Sequence, residues 1–175
     1  MRVEEAADSE YPAILALHKD SFEGELESIL VAKLRSDESF DSSLSFVLKE
    51  NNSLIGHVLF TKLLIKGPNQ STTTALALAP MAIRPDKQKQ GFGKILLKEA
   101  IKRCAELGHG AIIVLGHPEY YPKFGFTPAS KWNIKYPAEV PDEAFLALEL
   151  IPGYLDNAQG CVEYLKAFSE LEDAH

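Results

Sequence analysis

Gln88, Gly91 and Gly93 stand at the head of a helix-like stretch, RPDKQKQGFGKILLKEAIKRC from Arg84. Arg84, Lys87, Lys89 and Lys94 surround them, opposed only by Asp86, in a chain of formal net charge -7. Residue types and spacing here suit an anion. Glycines let the main chain approach a ligand without a Cβ in the way. The first N–H groups of a helix lack internal partners, and the helix dipole favours negative charge there. Phosphate is the natural guest. Two common phosphate patterns fail. GxxxxGK followed by Ser or Thr is broken by Ile95 after Lys94. GxGxxG is broken by Leu96, and no acid lies near residue 113 to take a ribose hydroxyl. Gln88-x-x-Gly91-x-Gly93 is the pattern that holds. A helix start whose lysines only face solvent is the other reading of these residues.

A second group lies downstream in VLGHPEYYPKFGFTPA, where Tyr121 offers a phenol and Tyr120, Phe124 and Phe126 surround it. On residue type alone Tyr121 reads as a packing aromatic, Glu23, Glu25 and Glu27 as surface acids, and His57 as a strand histidine that titrates in a useful range.

These groups need elements to place them. Asp8 or Ser9 is expected to cap a helix from about Glu10 to His18, with Pro12 in its first turn. GELESILVAKLRSD predicts a second helix with Leu26, Ile29, Leu30 and Leu34 on one face. LSFVLKE and LIGHVLFTKLLIK, joined at Glu50-Asn51-Asn52-Ser53, predict a hairpin. TTALALAPMAIRP reads as a strand buried on both faces. Pro80 inside it cannot donate to a ladder, which fits either interrupted pairing or a simple strand break. A long helix follows, with Phe92, Ile95, Leu96, Ala100, Ile101, Cys104 and Leu107 at helical spacing and Gly108 as its C-cap. AIIVLG is the next strand, so strand, helix and strand form a parallel crossover. GFTPASKWNI, AFLALEL and GCVEYLKAF predict further antiparallel strands.

Gln88-Lys89-Gln90-Gly91-Phe92-Gly93 resembles the Gln/Arg-x-x-Gly-x-Gly/Ala signature of the GNAT N-acetyltransferase superfamily, which cradles the pyrophosphate of acetyl-CoA. Tyr121-x-x-Phe124-Gly125-Phe126 is similar to the family's tyrosine and the Gly-Phe turn after it. The order of elements matches over essentially the whole chain. LIGHVLF and the ending GxVxYxxAF resemble a bacterial branch of small acetyltransferases. One feature departs from the pattern: Gly116-His117-Pro118-Glu119 leaves room for about one turn where many relatives carry a full helix beginning with asparagine.

The resemblance implies a mixed α/β (α+β) fold in a single N-acetyltransferase domain over residues 1–175. It implies a mostly antiparallel central sheet with one splayed parallel strand pair, flanked by helices. It implies transfer of an acetyl group from acetyl-CoA, with no metal, to a primary amine of a small molecule or peptide by direct attack. Backbone groups of Met81, Ala82 and Ile83 would hold the pantetheine and offer an N–H to the thioester oxygen. Amides from Gln88 through Lys89, Gln90, Gly91, Phe92 and Gly93 to Lys94 would bind the pyrophosphate, with Arg84 reaching the nucleotide phosphates. Tyr121 would be the general acid; Glu23, Glu25 and Glu27, in the connection and second helix, would border the acceptor and, with His57 or a water relay, are the candidates for the base. A non-catalytic acyl-CoA-binding or sensing domain is the alternative, and an unrelated nucleotide binder a third.

Composition narrows the classes. With 46% hydrophobic and 25% charged residues, the 175-residue chain reads as one soluble globular domain. The acidic start carries no signal-like segment, and no apolar run nears the roughly 20 residues a membrane span needs. Net negative charge opposes nucleic-acid binding. Cys104 and Cys161 have no metal-like spacing, and buried reduced thiols in a cytoplasmic protein are expected. The C-terminal strands could pair across a homodimer.

Overall fold

The computed structural model describes residues 1–173. It resolves into two compact units, one of Met1–Thr61, Ala79–Arg103 and the chain from Lys166, the other of Lys62–Leu78 and Cys104–Leu165.

The first unit is built from β1 (Arg2–Glu5), α1 (Tyr11–Ser21), α2 (Leu26–Arg35), β2 (Ser45–Glu50), β3 (Ser53–Lys66) up to Thr61, and β4 (Thr72–Ile83) from Ala79. It also holds α3 (Phe92–Glu106) up to Arg103 and α4 (Lys166–Glu172). Its strands lie in the order β1-β2-β3-β4, and β1-β2 and β2-β3 are antiparallel. Asn51 (φ 50) and Asn52 (φ 63) form the β2–β3 turn, since asparagine tolerates the left-handed pair that a two-residue hairpin demands. Tyr11, Ile14, Val31 and Val47 make one buried cluster. Phe46 and Phe60 meet edge to face at 6.1 Å.

Three local expectations are corrected. Asp8 and Ser9 do not cap α1: they lie in a 3-10 turn, and the Ala7 N–H donates instead to Glu10 Oε2 at 2.9 Å. In α2 the buried face is Leu30, Val31 and Leu34, while Ile29 is 40% exposed. In α3, Leu97 is buried beside Leu96 and Ala100, whereas Ile95 faces solvent, as does Leu107 just past the helix end. Gly108 (φ 87) ends α3 as expected.

The second unit uses the far ends of β3 and β4 with β5 (Ala111–Leu115), β6 (Thr127–Pro128), β7 (Ile134–Lys135), β8 (Phe145–Glu149) and β9 (Gly160–Glu163). Its order is β3-β4-β5-β8-β6, with β9 pairing β3 and β7. Leu63, Ile65, Ala77, Ile113, Phe145 and Leu155 belong to its core. Of the expected C-terminal antiparallel strands, β7 and β9 pair in parallel. GCVEYLKAF is a strand only to Glu163. It then turns helical, and α4 is anchored to α2 by Lys33 on Glu170 at 2.8 Å.

The crossover between β4 and β5 is parallel, and its register holds only Leu76 with Ile112 and Ala77 with Ile113. β4 then continues to Ile83 without further register partners in β5 among the described residues. The Ala79–Pro80 bond, just beyond the last β5 partner of β4, is cis. An interrupted ladder, not a strand break, is what Pro80 accompanies.

Candidate active site

The turn from Arg84 to Gly91 is held by its own groups. Lys87 N–H donates to Arg84 O at 2.8 Å, Gln88 Nε2 to Ile83 O at 3.0 Å and Gln90 Nε2 to Asp86 O at 2.9 Å. The first helical bond of α3 runs from Ile95 N–H to Gly91 O at 3.2 Å. Among the described residues, the N–H groups from Lys89 to Lys94 have no backbone acceptor. Gly91 sits at φ 87 with open space where a Cβ would stand, and Lys89 adopts φ 60. A left-handed lysine costs about 1 kcal/mol, which the surrounding turn must sustain.

The side chains divide the expected basic cluster. Arg84 is forked on Asp86 (2.6 and 3.0 Å) and touches Ser53 Oγ at 3.1 Å. Lys87 is bound to Glu50 at 2.6 Å, and this ammonium holds the Glu50 carboxyl below its usual range. Lys89 and Lys94 are exposed and have no carboxylate partner among the described residues. Half of the expected positive charge is therefore already neutralised.

Met81 and Ile83 are half-buried in β4 and Ala82 is buried. The Ile83 carbonyl is occupied: it accepts Gln88 Nε2 and, at 3.1 Å, Ser21 Oγ from the end of α1. Arg84 N–H donates to Ile55 O at 2.9 Å, so β3 around His57 runs alongside this end of β4.

Tyr121 opens a 3-10 turn in the second unit, after a short turn in which Tyr120 and Tyr121 N–H both point to His117 O. Its half-buried ring meets Phe126 at 5.6 Å and Tyr120 at 5.2 Å, edge to face. A Cβ on Gly116 would lie 2.4 Å from the Tyr121 ring, so only glycine permits this close approach. Burial, with Tyr120 beside it, pushes the Tyr121 phenol up to about 12. His117, beside it in sequence, is exposed.

The largest surprise is buried in the first unit. Tyr11 Oη donates to Ser45 Oγ at 3.0 Å, Ser45 Oγ meets His57 Nε2 at 2.9 Å, and His57 Nδ1 meets His18 Nε2 at 2.8 Å. His18, Ser45 and His57 are each 0% exposed and Tyr11 is 2% exposed. Loss of hydration lowers the His18 pKa to about 4 and drives that of His57 well down, with His18 adding repulsion. Both imidazoles are neutral at ordinary pH. His57 as a free base is thereby corrected. Glu25 is paired with Lys19, Glu23 is exposed and Glu27 half-buried. The sequence did hold one signal for this cluster: His18 falls on the apolar stripe of Tyr11 and Ile14, where a polar ring needs partners.

Cys104 is buried and its thiol pushed up to about 12, but Cys161 is exposed, not buried as expected. Among the described residues, no group of three or more His, Cys, Asp or Glu could hold a metal ion. No described helix is long and apolar enough to cross a membrane.

Comparison with known proteins completes the picture. Residues 11–126 match the Acetyltransferase (GNAT) family. The chain is 30% identical over 169 residues to the uncharacterized N-acetyltransferase YhbS of Escherichia coli, covering 97% of this chain and 98% of that one. It is 37% identical over 115 residues to the uncharacterized N-acetyltransferase YjhQ of the same organism, a match covering 66% of this chain and 62% of the relative, less than two thirds of its length. A crystal structure of Escherichia coli YhbS in complex with CoA superposes at TM-score 0.86 with 28% identity, covering 96% of this chain and 91% of that one. A GNAT family acetyltransferase from Brucella melitensis in complex with acetyl-CoA shares the fold at TM-score 0.76 and 24% identity, covering 95% and 97%. With its turn before α3, its interrupted β4–β5 ladder and these matches, the chain belongs to the acetyltransferase (GNAT) family.

Proposed function

We propose that residues 1–175 act as one N-acetyltransferase domain, transferring acetyl from acetyl-CoA to a primary amine of a small molecule or peptide by direct attack. The observation that carries this is the run of unclaimed N–H groups from Lys89 to Lys94 at the head of α3, with Gly91 in the left-handed region. A diphosphate accepts from such donors and gains from the helix dipole. Lys89 and Lys94 add attraction that weakens with salt. Met81, Ala82 and Ile83 line the pantetheine through main-chain groups, those N–H and carbonyl groups not taken by Ser21 and Gln88. An amide there meets the developing oxyanion.

Tyr121 donates to the departing thiolate. A phenol at about 12 does not hand its proton outright to a thiolate of ordinary pKa near 8.5, an uphill step of about 5 kcal/mol. A site that buries the phenol raises the thiolate as well, and the hydrogen bond strengthens as charge grows. With His57 enclosed and Glu25 paired, the proton of the ammonium leaves to water.

Two expected results follow for the turn. Gly91→Val forces a β-branched residue to φ 87 and fills space open to the phosphates. Acetyl-CoA affinity should fall about tenfold or more by calorimetry, with about 1–2 kcal/mol of stability lost in urea titration. Glu50→Gln releases Lys87 from its ion pair and should tighten acetyl-CoA about twofold at low ionic strength, a gain that vanishes at high salt. The reaction itself is tested by thiol release from acetyl-CoA across a panel of amines. Tight coenzyme binding with no release on any amine overturns the catalytic reading and leaves an acyl-CoA-binding domain.

A further inference from the structure

Tyr11, Ser45, His57 and His18 form a chain of four side chains joined by three contacts. Each neutral group carries one mobile proton, so three protons make the links and one is left over. With protons running from Tyr11 toward His18, every link is made and the surplus sits on His18 Nδ1. Reversed, the Tyr11 hydroxyl loses its acceptor and His18 Nδ1 still has no donor, which orphans two buried groups instead of one. The forward arrangement wins, because each buried unpaired group costs about 1–3 kcal/mol. His18 Nδ1 is a fully buried ring atom without a hydrogen-bond partner among the described residues.

Native proteins rarely leave such an N–H unpaired unless something else completes it. Its neighbourhood says what. Ser21, one turn beyond His18 on α1, donates to the Ile83 carbonyl, and His57 lies on β3 where that strand accompanies the end of β4. The donor thus belongs to the same corner of the first unit as Met81, Ala82 and Ile83. A donor cannot pair with an ammonium; it takes an oxygen. We propose that His18 Nδ1–H is a binding group for the acyl carbonyl oxygen of the thioester, aimed by His57, Ser45 and Tyr11, and that it lets the protein distinguish acetyl-CoA from free CoA. This rests on the acetyl-CoA reading above.

A neutral imidazole suits the task, since it polarises a carbonyl without surrendering its proton. Burial keeps the ring neutral, as its lowered pKa shows. Phe22, half-buried at the extended end of α1, stacks parallel to His18 at 6.2 Å and so packs on the ring's face, not on its in-plane N–H edge.

The test needs no acceptor amine. Calorimetry with acetyl-CoA and with CoA gives an affinity ratio for the wild type, for His18→Phe and for His18→Asn. The ratio in favour of acetyl-CoA should drop about threefold to tenfold in His18→Phe, which lacks the donor, and recover in part in His18→Asn, whose amide sits near the Nδ1 position. On wild-type protein labelled with nitrogen-15, the His18 ring proton should appear on Nδ1 and shift with acetyl-CoA but not with CoA. That measurement holds even where a variant fails to fold. A ring proton on Nε2, or equal shifts with both coenzymes, overturns the proposal. So does an unchanged ratio in a folded His18→Phe, while leaving acetyl-CoA binding intact. Binding of neither coenzyme to the wild type overturns both readings.

Discussion

Tyr121→Phe is expected to lower kcat by about 10²-fold while leaving KM for acetyl-CoA within about twofold, because the phenol acts on charge that appears only as the thiolate departs. The ring itself should remain in place. Its contacts with Phe126, Tyr120 and the Gly116 backbone are made by carbon atoms that phenylalanine keeps. No hydrogen bond ties the hydroxyl to another described residue, so its removal orphans no partner. The pH profile gives a second reading. With the phenol pushed up to about 12, Tyr121 contributes no basic limb below about pH 10, and a rate that falls between pH 8 and 10 belongs to another group. Steady-state thiol release for both proteins over that range is the check. Equal kcat values would return Tyr121 to a packing role.

The second large effect concerns stability in acid. The His18 pKa is about 4 in the folded protein and about 6.5 when unfolded, and that of His57 lies in the same direction. Between those values the unfolded chain binds a proton that the folded one refuses. Stability therefore rises with pH across this window and is lost as pH falls from about 6.5 toward 4. From His18 alone the loss is about 3 kcal/mol, and His57 adds to it. Since a domain of this size has a total stability of about 5–15 kcal/mol, the urea midpoint should drop steeply over this range. His57→Gln should flatten that slope while weakening the protein at neutral pH. A midpoint that does not move between pH 7 and 5 would show the pair exposed to water.

Much of this architecture is readable in the amino-acid order. The two asparagines dictate the hairpin between β2 and β3, glycines bracket α3, and apolar strands on either side of it announce a parallel crossover. These are local rules, and they hold because each residue's own conformational preference agrees with its surroundings. What escapes local reading depends on partners distant in sequence. Glu50 neutralises Lys87 from 37 positions away and Asp86 holds Arg84, so of the four basic residues only Lys89 and Lys94 lack a carboxylate among the described residues. Ile29 and Val31 exchange places on α2 because the packing partner, not the count of apolar residues, chooses the stripe. α4 takes a helical form beyond Glu163 because Lys33 and a buried Ala167 hold it against α2. The buried chain of Tyr11, Ser45, His57 and His18 draws on one helix and two strands, and no spacing announces that. A histidine on an apolar stripe is the only trace.

The central claim is that main-chain donors between Lys89 and Lys94 grip the coenzyme's diphosphate. A crystal structure of the protein with bound CoA tests it most directly. The account predicts pyrophosphate oxygens about 2.7–3.2 Å from several of those nitrogens, with Gly91 still left-handed. Coenzyme seated elsewhere, with that turn untouched, would contradict it.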